Sequence, residues 1–577
     1  MTDLATQTPP AAAPSAKETK AQRAERLKRA KNPWEAWDEV RQFAREGRAA
    51  VLPEWAEFYF KWWGVYTQGD GAGVTGGRDG VGKATEYFMM RIALPNGLLT
   101  SRQLRVIGEL AQKYARNLAD ITTRQNIQLH WLTIVALPEI VDALTAIGLS
   151  PKGACGDVMR NVTGCPLAGL DGHELLDASP LALQIARGLT ANPEFYNLPR
   201  KFKVSVTGCP VWCTYPEIND VALTAIRRGD EVGYTLRVGG GLSTEPHIAV
   251  RIPAFIPQTK AYAAVEAVLR IFKEQTGLRE NRTRARLKYL FMRHGWTAES
   301  MLAAIEEKLG CKLGPSPVSE DAVPDDVYRD HIGVTPQRQP GLSAVGASVL
   351  RGRLSGEQLI QLADLAEEFG DGHLRATIMQ NIIVANVPNA RTRDAVHRLG
   401  EIGLPVEVSP FWRGAIACTG TEFCKLAIAE TKGFAKWLVG EMEERLPAFD
   451  QQIKLHVTGC TNSCGQHWIA DIGLEGKKIK KDGAMVDAFY FCVGGAVGKY
   501  AAIARQIGFR AAAEDCPTAI ERLLRAYLEA RQPGEDLRAY FSRTGDETLR
   551  AQLAGTVVEP VERDPAPVGA GRHAPGE

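Results

Sequence analysis

The chain has 577 residues, of which 45% are hydrophobic and 24% are charged, as in ordinary globular proteins. A net charge of +2 argues against a general affinity for nucleic acid or acidic membranes, and no apolar run approaches the roughly 20 residues that span a bilayer. Eleven cysteines in so long a chain are not a secreted disulfide scaffold, and the N-terminus lacks the apolar core of a signal peptide. We therefore expect a cytoplasmic protein of several domains.

The N-terminal stretch changes character several times. Residues 1–15 are low in complexity and are predicted to be disordered. Residues 16–31 alternate in charge and predict a solvated helix or, alternatively, a docking arm for an acidic partner. Residues 32–63 contain five tryptophans, so this arm should pack on a core. The glycine-rich stretch 69–83 is predicted to be a flexible loop, because no apolar strand precedes it and Ala84 stands where a P-loop needs Ser or Thr.

From residue 85 the hydrophobic pattern becomes regular enough to predict individual elements. Thr100 or Ser101 can cap the first helix of this region. A second helical region is predicted near the C-terminus, followed by a disordered tail over residues 556–577. The predicted elements are a strand over 87–94, a turn over 95–97, a helix to about residue 117, a strand over 127–135, a helix over 139–147 and helical structure over 517–545.

An internal repeat organises the chain. The sequence after Leu99 resembles the sequence after Leu354, and both copies carry a helix followed by Gln-Asn-Ile. Later, V-T-G-C-x-x-x-C occurs twice, with an aspartate seven residues beyond its last cysteine. The repeat matches Cys209 with Cys460, Cys213 with Cys464, and Cys165 with Cys424, and it places Met159 against Cys418. The first copy therefore has three of four thiols, and we expect a degenerate, empty site there; the alternative is a second cluster with an unusual fourth ligand.

Four cysteines of the second copy form two pairs, Cys418 with Cys424 and Cys460 with Cys464. Four thiolates in two pairs suit an iron–sulfur cluster. Zinc is a rival, although structural zinc sites usually have two residues between paired cysteines, which neither pair has. Unconnected buried thiols are a third interpretation. Glycine at 459 and 465 lets the backbone wrap closely around a bulky centre and point N–H groups at it.

The segment from Thr122 to His130 is unusually polar for a strand. Arg124, Asn126, Gln128 and His130 alternate, so a period of two would place them on one face. Such a face needs a polar ligand with many acceptors, or else solvent. Further cations occur at Arg91, inside an apolar strand, at Arg160, and at Arg200, Lys201 and Lys203. A charge inside an apolar strand needs a partner, which a bound anion would supply.

Taken together, these residues resemble the sirohaem-containing nitrite and sulfite reductases. The resemblance covers roughly residues 55–545. It rests on the motifs M-M-R-I-A-L-P-N-G, A-D-I-T-T-R-Q-N-I-Q-L-H-W, N-L-P-R-K-F-K, A-C-T-G-T-E-F-C-K-L-A-I-A-E-T-K and H-V-T-G-C-T-N-S-C-G-Q.

The resemblance implies a role for each candidate residue. A [4Fe–4S] cluster would be ligated by Cys418, Cys424, Cys460 and Cys464. Cys464 would also bridge the cluster to the sirohaem iron. The residues implied to hold the sirohaem carboxylates are Arg124, Asn126, Gln128, His130, Arg200, Arg286 and Lys288. The residues implied to bind the oxyanion, neutralise it and help deliver protons are Arg91, Arg160, Lys201 and Lys203.

The resemblance also implies an α+β fold with a pseudo-twofold internal repeat. Each half is expected to be a small ferredoxin-like α/β half-domain followed by a larger α/β domain for sirohaem and cluster. The expected boundaries are 1–31 for a basic tail, 32–84 for the arm and glycine-rich loop, 85–150 and 331–408 for the half-domains, 151–330 for the sirohaem and substrate domain, 409–555 for the cluster domain and 556–577 for the C-terminal tail.

The expected reaction is the six-electron reduction of nitrite to ammonia, with sulfite reduction as the alternative. Most motifs favour nitrite, whereas Lys203 favours sulfite because plant-type nitrite reductases commonly have Asn there. Some ferredoxin-type sulfite reductases crosslink a cysteine to a tyrosine; Tyr66 matches that tyrosine, but Val158 stands in the cysteine position.

Electrons are expected from ferredoxin, because the chain has no credible nucleotide fingerprint. Ferredoxins are acidic, so a local basic patch is expected. We expect a monomer with no nucleic-acid or membrane partner. Two rival classes are a non-catalytic iron–sulfur electron carrier and a zinc-stabilised binding protein.

Overall fold

The computed structural model describes residues 18–68, 87–209, 213–317, 329–498 and 501–556. The predictions for residues 1–15, for the glycine-rich loop at 69–83 and for the tail after residue 556 therefore lie outside the described residues. None of the helices in the described ranges combines the length and the apolar character needed to span a bilayer.

The N-terminal arm packs on the core, as its tryptophans predicted. Its helices are α1 (Lys20–Ala30), α2 (Trp37–Glu46) and α3 (Pro53–Glu57). Trp55 and Trp62 are almost fully buried in the cluster that also forms the core of both half-domains. The prediction that residues 16–31 form a solvated helix is wrong for one face of α1. Leu27 is buried there, and the buried Lys28 ammonium lies 3.5 Å from the Asp157 carboxylate.

The first copy of the repeat follows the arm. Its half-domain comprises β1 (Val65–Thr67), β2 (Phe88–Ile92), β3 (Leu98–Thr100), α4 (Ser101–Tyr114), β4 (Leu118–Ile121), β5 (Ile127–Leu132) and α5 (Leu137–Ala146). Its larger domain comprises β6 (Thr163–Gly164), α6 (Ser179–Leu189), β7 (Val204–Thr207), β8 (Val221–Arg228), β9 (Glu231–Val238), β10 (Val250–Pro257), α7 (Ala261–Glu274), α8 (Tyr289–Arg293) and α9 (Ala298–Leu309).

The second copy has the same order of helices and strands, with one additional short helix at the start of its larger domain. Its half-domain comprises β11 (Gly333–Pro336), β12 (Leu342–Ala347), β13 (Arg353–Ser355), α10 (Gly356–Phe369), β14 (His373–Ala376), β15 (Ile382–Pro388) and α11 (Thr392–Glu401). Its larger domain comprises α12 (Pro410–Gly414), β16 (Ala415–Ala417), α13 (Lys432–Arg445), β17 (Leu455–Thr458), β18 (Ile472–Lys481), β19 (Ala484–Val493), β20 (Arg505–Ala512), α14 (Cys516–Ala530), α15 (Leu537–Arg543) and α16 (Asp546–Ala554).

The two half-domains exchange a strand. One sheet has the order β1-β2-β5-β4-β13 and the other has the order β11-β12-β15-β14-β3, so β13 and β3 each complete the sheet of the opposite copy. The larger domains contain the sheets β10-β9-β8-β7-β6 and β16-β17-β18-β19-β20. In each of these two sheets, the three strands that come first in sequence pair in parallel. Each of the two later strands pairs antiparallel with the strand before it. The described residues thus form the predicted mixed fold with an internal twofold repeat.

The repeated Gln-Asn pair joins the two copies through buried hydrogen bonds. The Gln125 side chain donates to the carbonyl oxygens of Ala376 (2.9 Å) and Gly164 (3.1 Å). Its counterpart Gln380 donates to those of Ile121 (2.9 Å) and Ala417 (3.2 Å). Each glutamine therefore contacts the half-domain of the other copy. Since a buried amide that loses its partners costs about 1–3 kcal/mol, these bonds hold the copies in register.

Helices α4 and α10 cross where a glycine of each touches the other's backbone. A Cβ built on Gly108 would lie 2.7 Å from the carbonyl oxygen of Gly356, and a Cβ built on Gly356 would lie 2.6 Å from that of Gly108. Real Cβ atoms essentially never approach so closely, so this crossing requires glycine at both positions. Residues Thr100 and Ser355 cap these helices in the same way, each accepting a backbone hydrogen bond at the third helical residue.

Replacing Gly108 with alanine is expected to lower the midpoint of thermal unfolding, because the new methyl group would collide with the backbone of α10. The matched control is Gly440→Ala within α13, where no heavy atom lies within 4 Å of the added Cβ. There, alanine should stabilise the helix by up to about 1 kcal/mol. Calorimetry of both variants tests the contact, and an equal rise in both midpoints would contradict it.

Candidate active site

The four cysteines of the second copy lie at one edge of a parallel sheet. Cys418 directly follows β16, and Cys460 lies two residues beyond β17. Strands β16 and β17 pair in parallel, so their carboxyl ends meet at the same edge. Cys424 and Cys464 follow on the adjoining loops, and electrostatic interactions link each of the other three thiols with Cys464. The fold therefore brings the four predicted ligands together.

The spacing of the sulfur atoms excludes a single tetrahedral zinc ion in this arrangement. Sulfur atoms bound to one zinc lie about 3.8 Å apart, given bonds of about 2.3 Å. Among the described residues, no three of the four sulfur atoms lie within 4.8 Å of one another. A larger centre, with one metal atom for each thiolate, fits this wider spacing.

The protein does not stabilise these thiolates by itself. Burial, followed by the neighbouring Cys464, raises the pKa of Cys424 and of Cys460 to about 12. Ligation by positively charged iron is what would hold such groups deprotonated. The backbone N–H of Gly459 donates to Cys418 Sγ at 3.2 Å, as the sequence predicted. A Cβ on Gly465 would lie 2.2 Å from the Val457 carbonyl oxygen, so the tight wrap of the loop requires glycine there.

Cys464 is the exposed member of the four, and it faces the first copy. The Thr123 hydroxyl donates to its carbonyl oxygen at 3.4 Å. The charge of Cys464 also favours the protonated forms of Arg91 and Lys201. The cysteine edge of one copy thus meets the cationic edge of the other at this residue.

The four predicted oxyanion-binding residues share one buried region of the first copy. Burial, followed by the neighbouring Arg286, Arg200 and Arg160, lowers the pKa of Lys201 to about 7. Burial, followed by Lys201 and Arg124, also lowers the pKa of Lys203 well below its usual value. In the part of the chain that the structure describes, neither lysine ammonium forms a hydrogen bond or an ion pair with protein. An anion in this pocket would relieve the repulsion.

Lys203 and its counterpart in the second copy, Lys454, differ in the partners of their ammonium groups, and Arg286 causes the difference. The backbone N–H of Lys203 donates to Asp220 and that of Lys454 donates to Asp471, at 2.8 and 2.6 Å. In the second copy the Lys454 ammonium also approaches Asp471, at 3.7 Å. In the first copy Arg286 binds Asp220 through two hydrogen bonds, of 3.2 and 2.7 Å. Arg286 therefore takes the carboxylate and leaves the Lys203 ammonium without an ion-pair partner among the described residues.

Arg91 and Arg160 also hold the loop at residues 154–156. Arg160 donates to the carbonyl oxygens of Gly156 and Ala154, and Arg91 donates to Cys155 Sγ at 3.1 Å. Carbonyl oxygens do not neutralise a guanidinium, so the charge of Arg160 remains available to a ligand.

The same loop places Cys155 beside Tyr66. Burial and the contact with Cys155 raise the pKa of the Tyr66 hydroxyl. The sequence comparison had placed the cysteine position at Val158, and this was wrong. Val158 is buried in the core, and the cysteine beside the tyrosine is Cys155. No periodic pattern marked Cys155, because its loop lies outside any helix or strand.

The prediction of one polar strand face from Arg124 to His130 is also wrong. Strand β5 begins at Ile127, so Arg124 and Asn126 lie in the preceding turn. His130 is fully buried; one ring nitrogen lies 3.1 Å from Asp120 and the other 3.4 Å from Gln68, and the ring stacks on Phe423. Its ring nitrogens are therefore already engaged by protein groups, and it cannot hold a cofactor carboxylate in this conformation.

Two further predicted sirohaem contacts on this segment are bound to protein. The Asn126 side-chain oxygen accepts from the Leu94 backbone N–H at 3.4 Å, and its counterpart Asn381 accepts from Val349 at 2.8 Å. Asn126 and Asn381 thus have the same structural role, each in its own copy. Gln128 accepts from Arg91 at 3.3 Å and orients that guanidinium. It contributes to the pocket through Arg91.

The remaining predicted contacts are cations on the first copy. Arg124 donates to Asn219 at 2.8 Å and to two backbone carbonyls, while its buried Nε has no hydrogen-bond partner among the described residues. Arg200 pairs with Asp157 at 3.1 Å and stays one-third exposed. Lys288 donates to the backbone carbonyls of residues 241, 242 and 245. Arg124 and Arg200 retain capacity for an anionic cofactor, whereas Lys288 is largely satisfied.

The structure changes the alignment of the first-copy cysteines. Gln125 bonds both backbone groups of Gly164, and Gln380 bonds both backbone groups of Ala417. Gly164 is therefore the counterpart of Ala417, so Cys165 is the counterpart of Cys418. The match of Cys165 with Cys424, and of Met159 with Cys418, was wrong. By the same spacing, the missing counterpart of Cys424 is Asp171.

Comparisons with known proteins agree with this architecture. The family described as "Nitrite and sulphite reductase 4Fe-4S domain" matches residues 155–313 and 410–559, and the "Nitrite/Sulfite reductase ferredoxin-like half domain" matches residues 81–147 and 335–402. The chain belongs to the nitrite and sulfite reductase family. It is an oxidoreductase, and each of its two copies contains one match to each of these two domains.

Individual relatives carry both substrate names. The chain is 36% identical over 561 residues to the assimilatory ferredoxin-dependent nitrite reductase of Haloferax mediterranei, covering 91% of this chain and 92% of the relative. It is 36% identical over 524 residues to sulfite reductase [ferredoxin] 1 of Mycolicibacterium paratuberculosis, covering 89% and 92%. The solved structure of the Mycobacterium tuberculosis NirA protein matches with a TM-score of 0.87 and 34% identity, covering 91% of this chain and 97% of that one.

The residues present fit the cofactors of this family, a [4Fe–4S] cluster and sirohaem. Four thiols, three of them with raised pKa values, are gathered at the sheet edge, and their spacing is too wide for one ion. Opposite them, the buried Nε atoms of Arg91 and Arg124 have no hydrogen-bond partner among the described residues. Such donors, together with the lowered lysine pKa values, indicate a site built for a bound anionic group.

Binding of nitrite is expected to weaken as the pH rises above about 7, because Lys201 loses its proton there. Nitrite keeps its charge across this range, so the trend reports on the protein. The dissociation constant should rise by up to about tenfold per pH unit, because one proton is lost from the site. In Lys201→Arg, whose guanidinium stays protonated, this rise should disappear. The same rise in both proteins would exclude Lys201 as its origin.

Proposed function

We propose that the chain catalyses the six-electron reduction of a small oxyanion, sulfite or nitrite, with electrons from reduced ferredoxin. The observation that carries the proposal is the position of Cys464. It belongs to the four-thiol group of one copy and lies within electrostatic reach of Arg91 and Lys201 of the other. An electron store and an anion pocket thus meet at one residue.

The protein's own part in this chemistry is to bind, orient and supply protons. When bound, the cluster, held by Cys464 and the other three thiols, and the sirohaem would pass on to the substrate the electrons that ferredoxin donates. Arg91 and Arg160 would hold the oxyanion electrostatically, since both remain charged. Lys201, with a pKa of about 7, can both attract the anion and release a proton near neutrality. Lys203 lies in the same pocket, and its pKa is also lowered well below its usual value by burial and by Lys201.

Ferredoxin is the proposed electron donor, and the surface next to the cluster suits it. Lys425 directly follows the proposed cluster ligand Cys424. Burial, and next the nearby charge of Arg48, lower the pKa of Lys425. Leu426 beside them is 63% exposed. Cations around an exposed apolar residue fit an acidic redox partner. The relatives from Haloferax and Mycolicibacterium are named as ferredoxin-dependent enzymes.

The geometry supports sulfite better than nitrite. The Lys203 ammonium, which has no ion-pair partner within the described ranges, adds a cation to the pocket, and sulfite is a dianion near neutrality. A dianion also raises the pKa of this lysine more than a monoanion does. Cys155 beside Tyr66 supplies the pair that some sulfite reductases of the family use, and so removes the objection raised by Val158. Nitrite is the second candidate; the motifs around Cys424 and His130 favour it, as does the name of the Haloferax relative.

The cofactor arrangement is tested by replacing Cys464 with serine. We expect the purified variant to lose the reduction of both anions by reduced ferredoxin, because the exposed thiolate would no longer join cluster and haem. Visible absorption and iron content are the second readout, since wild type should show haem bands and about five iron atoms. Cys516→Ser is the control, a buried thiol of α14 that donates to the Ala512 carbonyl oxygen. Wild type without haem bands would exclude the proposed reaction.

Substrate preference is tested by Lys203→Asn, with Lys203→Arg as the charge-preserving control. We expect kcat/KM for sulfite to fall about tenfold more than that for nitrite, since a hydrogen bond from a charged donor contributes about 1.5–3 kcal/mol. Lys203→Arg should change the ratio less. Steady-state turnover with reduced ferredoxin measures both ratios. An unchanged ratio in Lys203→Asn would mean that Lys203 does not set the preference.

A further inference from the structure

The first copy contains a second group of metal-ligating side chains, outside the active site. The donor atoms of Cys165, Cys213 and His331 all lie within 4.8 Å of one another. Cys165 follows β6 at the edge where the second copy has Cys418. His331 comes from the segment that joins the two copies, just before β11.

The surroundings of these three donors are apolar. Cys165 and Cys213 are buried in a small hydrophobic cluster with Leu167, Leu170 and Ile383. The Nε2 atom of His331 is also buried and has no hydrogen-bond partner in the described ranges. A buried imidazole nitrogen without a partner costs free energy, which a metal ligand bond would recover.

The position of His331 is held by contacts that do not involve the thiols. Its backbone adopts the left-handed region, with φ of 61°. The Ile332 N–H donates to Asp330 at 2.9 Å, and Arg413 binds Asp330 through two hydrogen bonds of 2.7 Å. A Cβ on Gly346 would lie 1.7 Å from the His331 carbonyl oxygen, so only glycine admits this backbone there. The imidazole is thus presented to the two thiols by a rigid support.

The geometry favours one ion over a cluster. Three donors within 4.8 Å suit the roughly 2.0–2.3 Å bonds of one tetrahedral zinc, whereas the thiols of the cluster site lie farther apart. The other two residues at this edge have other partners. Cys209 Sγ donates to Asp171 at 3.9 Å, and Arg329 pairs with Asp171 at 3.0 Å.

We propose that Cys165, Cys213 and His331 bind a zinc ion. Two thiolates and an imidazole are a ligand set that zinc prefers, with one coordination position left for a further ligand. The ion would join the loops of the first copy to the segment that leads into the second copy. Two contacts already join these parts: Arg329 of the connecting segment pairs with Asp171 at 3.0 Å, and the N–H of Arg338, in the turn after β11, donates to the Leu170 carbonyl oxygen at 2.7 Å. The site would therefore stabilise the junction between the copies.

The test uses the full-length holoenzyme, purified anaerobically without a histidine tag. Elemental analysis should find about one zinc per chain beside the iron of the cofactors, and X-ray absorption at the zinc edge should show sulfur at about 2.3 Å and nitrogen at about 2.0–2.1 Å. Zinc below a tenth of an equivalent, even after one equivalent of zinc chloride is added, would overturn the proposal. So would about four additional iron atoms, or a Cys165–Cys213 disulfide in the peptide map.

Variants assign the ligands. Cys213→Ser and His331→Ala should each lower the zinc content at least tenfold while the iron content stays unchanged. Cys209→Ser and Cys516→Ser are the matched controls and should retain zinc. Zinc retained in both ligand variants would overturn the assignment. If a ligand variant fails to fold, X-ray absorption at the zinc edge of the wild-type protein still tests the assignment. Zinc coordinated only by oxygen or nitrogen would exclude the two thiolates.

Discussion

Positive charge gathered in a buried pocket is the constraint on which the site depends. Arg91, Arg124, Arg160, Lys201 and Lys203 share a region in which Asp220 is already bound by Arg286. Burial of so many cations near one another is unfavourable, which is why both lysines release their protons so readily. A bound anionic cofactor, and the oxyanion that we propose as substrate, would offset this repulsion. Affinity for both anions would thus have one physical origin.

The pseudo-twofold repeat allows this pocket to face the cluster. Gln125 and Gln380 each reach across to the opposite copy, and strands β3 and β13 exchange between the half-domain sheets. The four thiols follow the carboxyl ends of β16 and β17, whereas Arg160 and Lys203 precede the amino ends of β6 and β7. The thiol edge of the second copy therefore meets the opposite edge of the first copy's sheet, where Lys201 lies within electrostatic reach of Cys464. Equivalent positions of the two copies have diverged. Lys203 and Lys454 illustrate this: their backbones make the same hydrogen bond, and the presence of Arg286 decides which ammonium is left for a ligand.

The two copies have also diverged in how they use cysteine. Cys165 occupies the position of Cys418, but Asp171 stands where the second copy has Cys424, and Arg329 neutralises it. Two thiols of the first copy lie closer to each other than a cluster would require, and His331 joins them from the connecting segment. The same sheet edge thus offers a site for a large centre in one copy and for a single ion in the other. The distance between the ligand atoms, more than the number of ligands, distinguishes the cluster site from the single-ion site.

Much of this protein was determined by its sequence alone. The repeat, the four cluster cysteines and the cations of the N-L-P-R-K-F-K motif were visible because ligand spacing and charge are local properties of the chain. Helix α4 and its Thr100 cap followed from hydrophobic period and capping chemistry. Tertiary structure alone decided which polar residues face the pocket. Asn126 and His130 fit the alternating pattern, yet their partners are Leu94 and Asp120, which no periodicity reveals. Cys155 meets Tyr66, and His331 meets Cys165, across 89 and 166 residues of sequence. Contacts between loops depend on how the two copies pack, and that packing is not encoded in any short stretch of sequence.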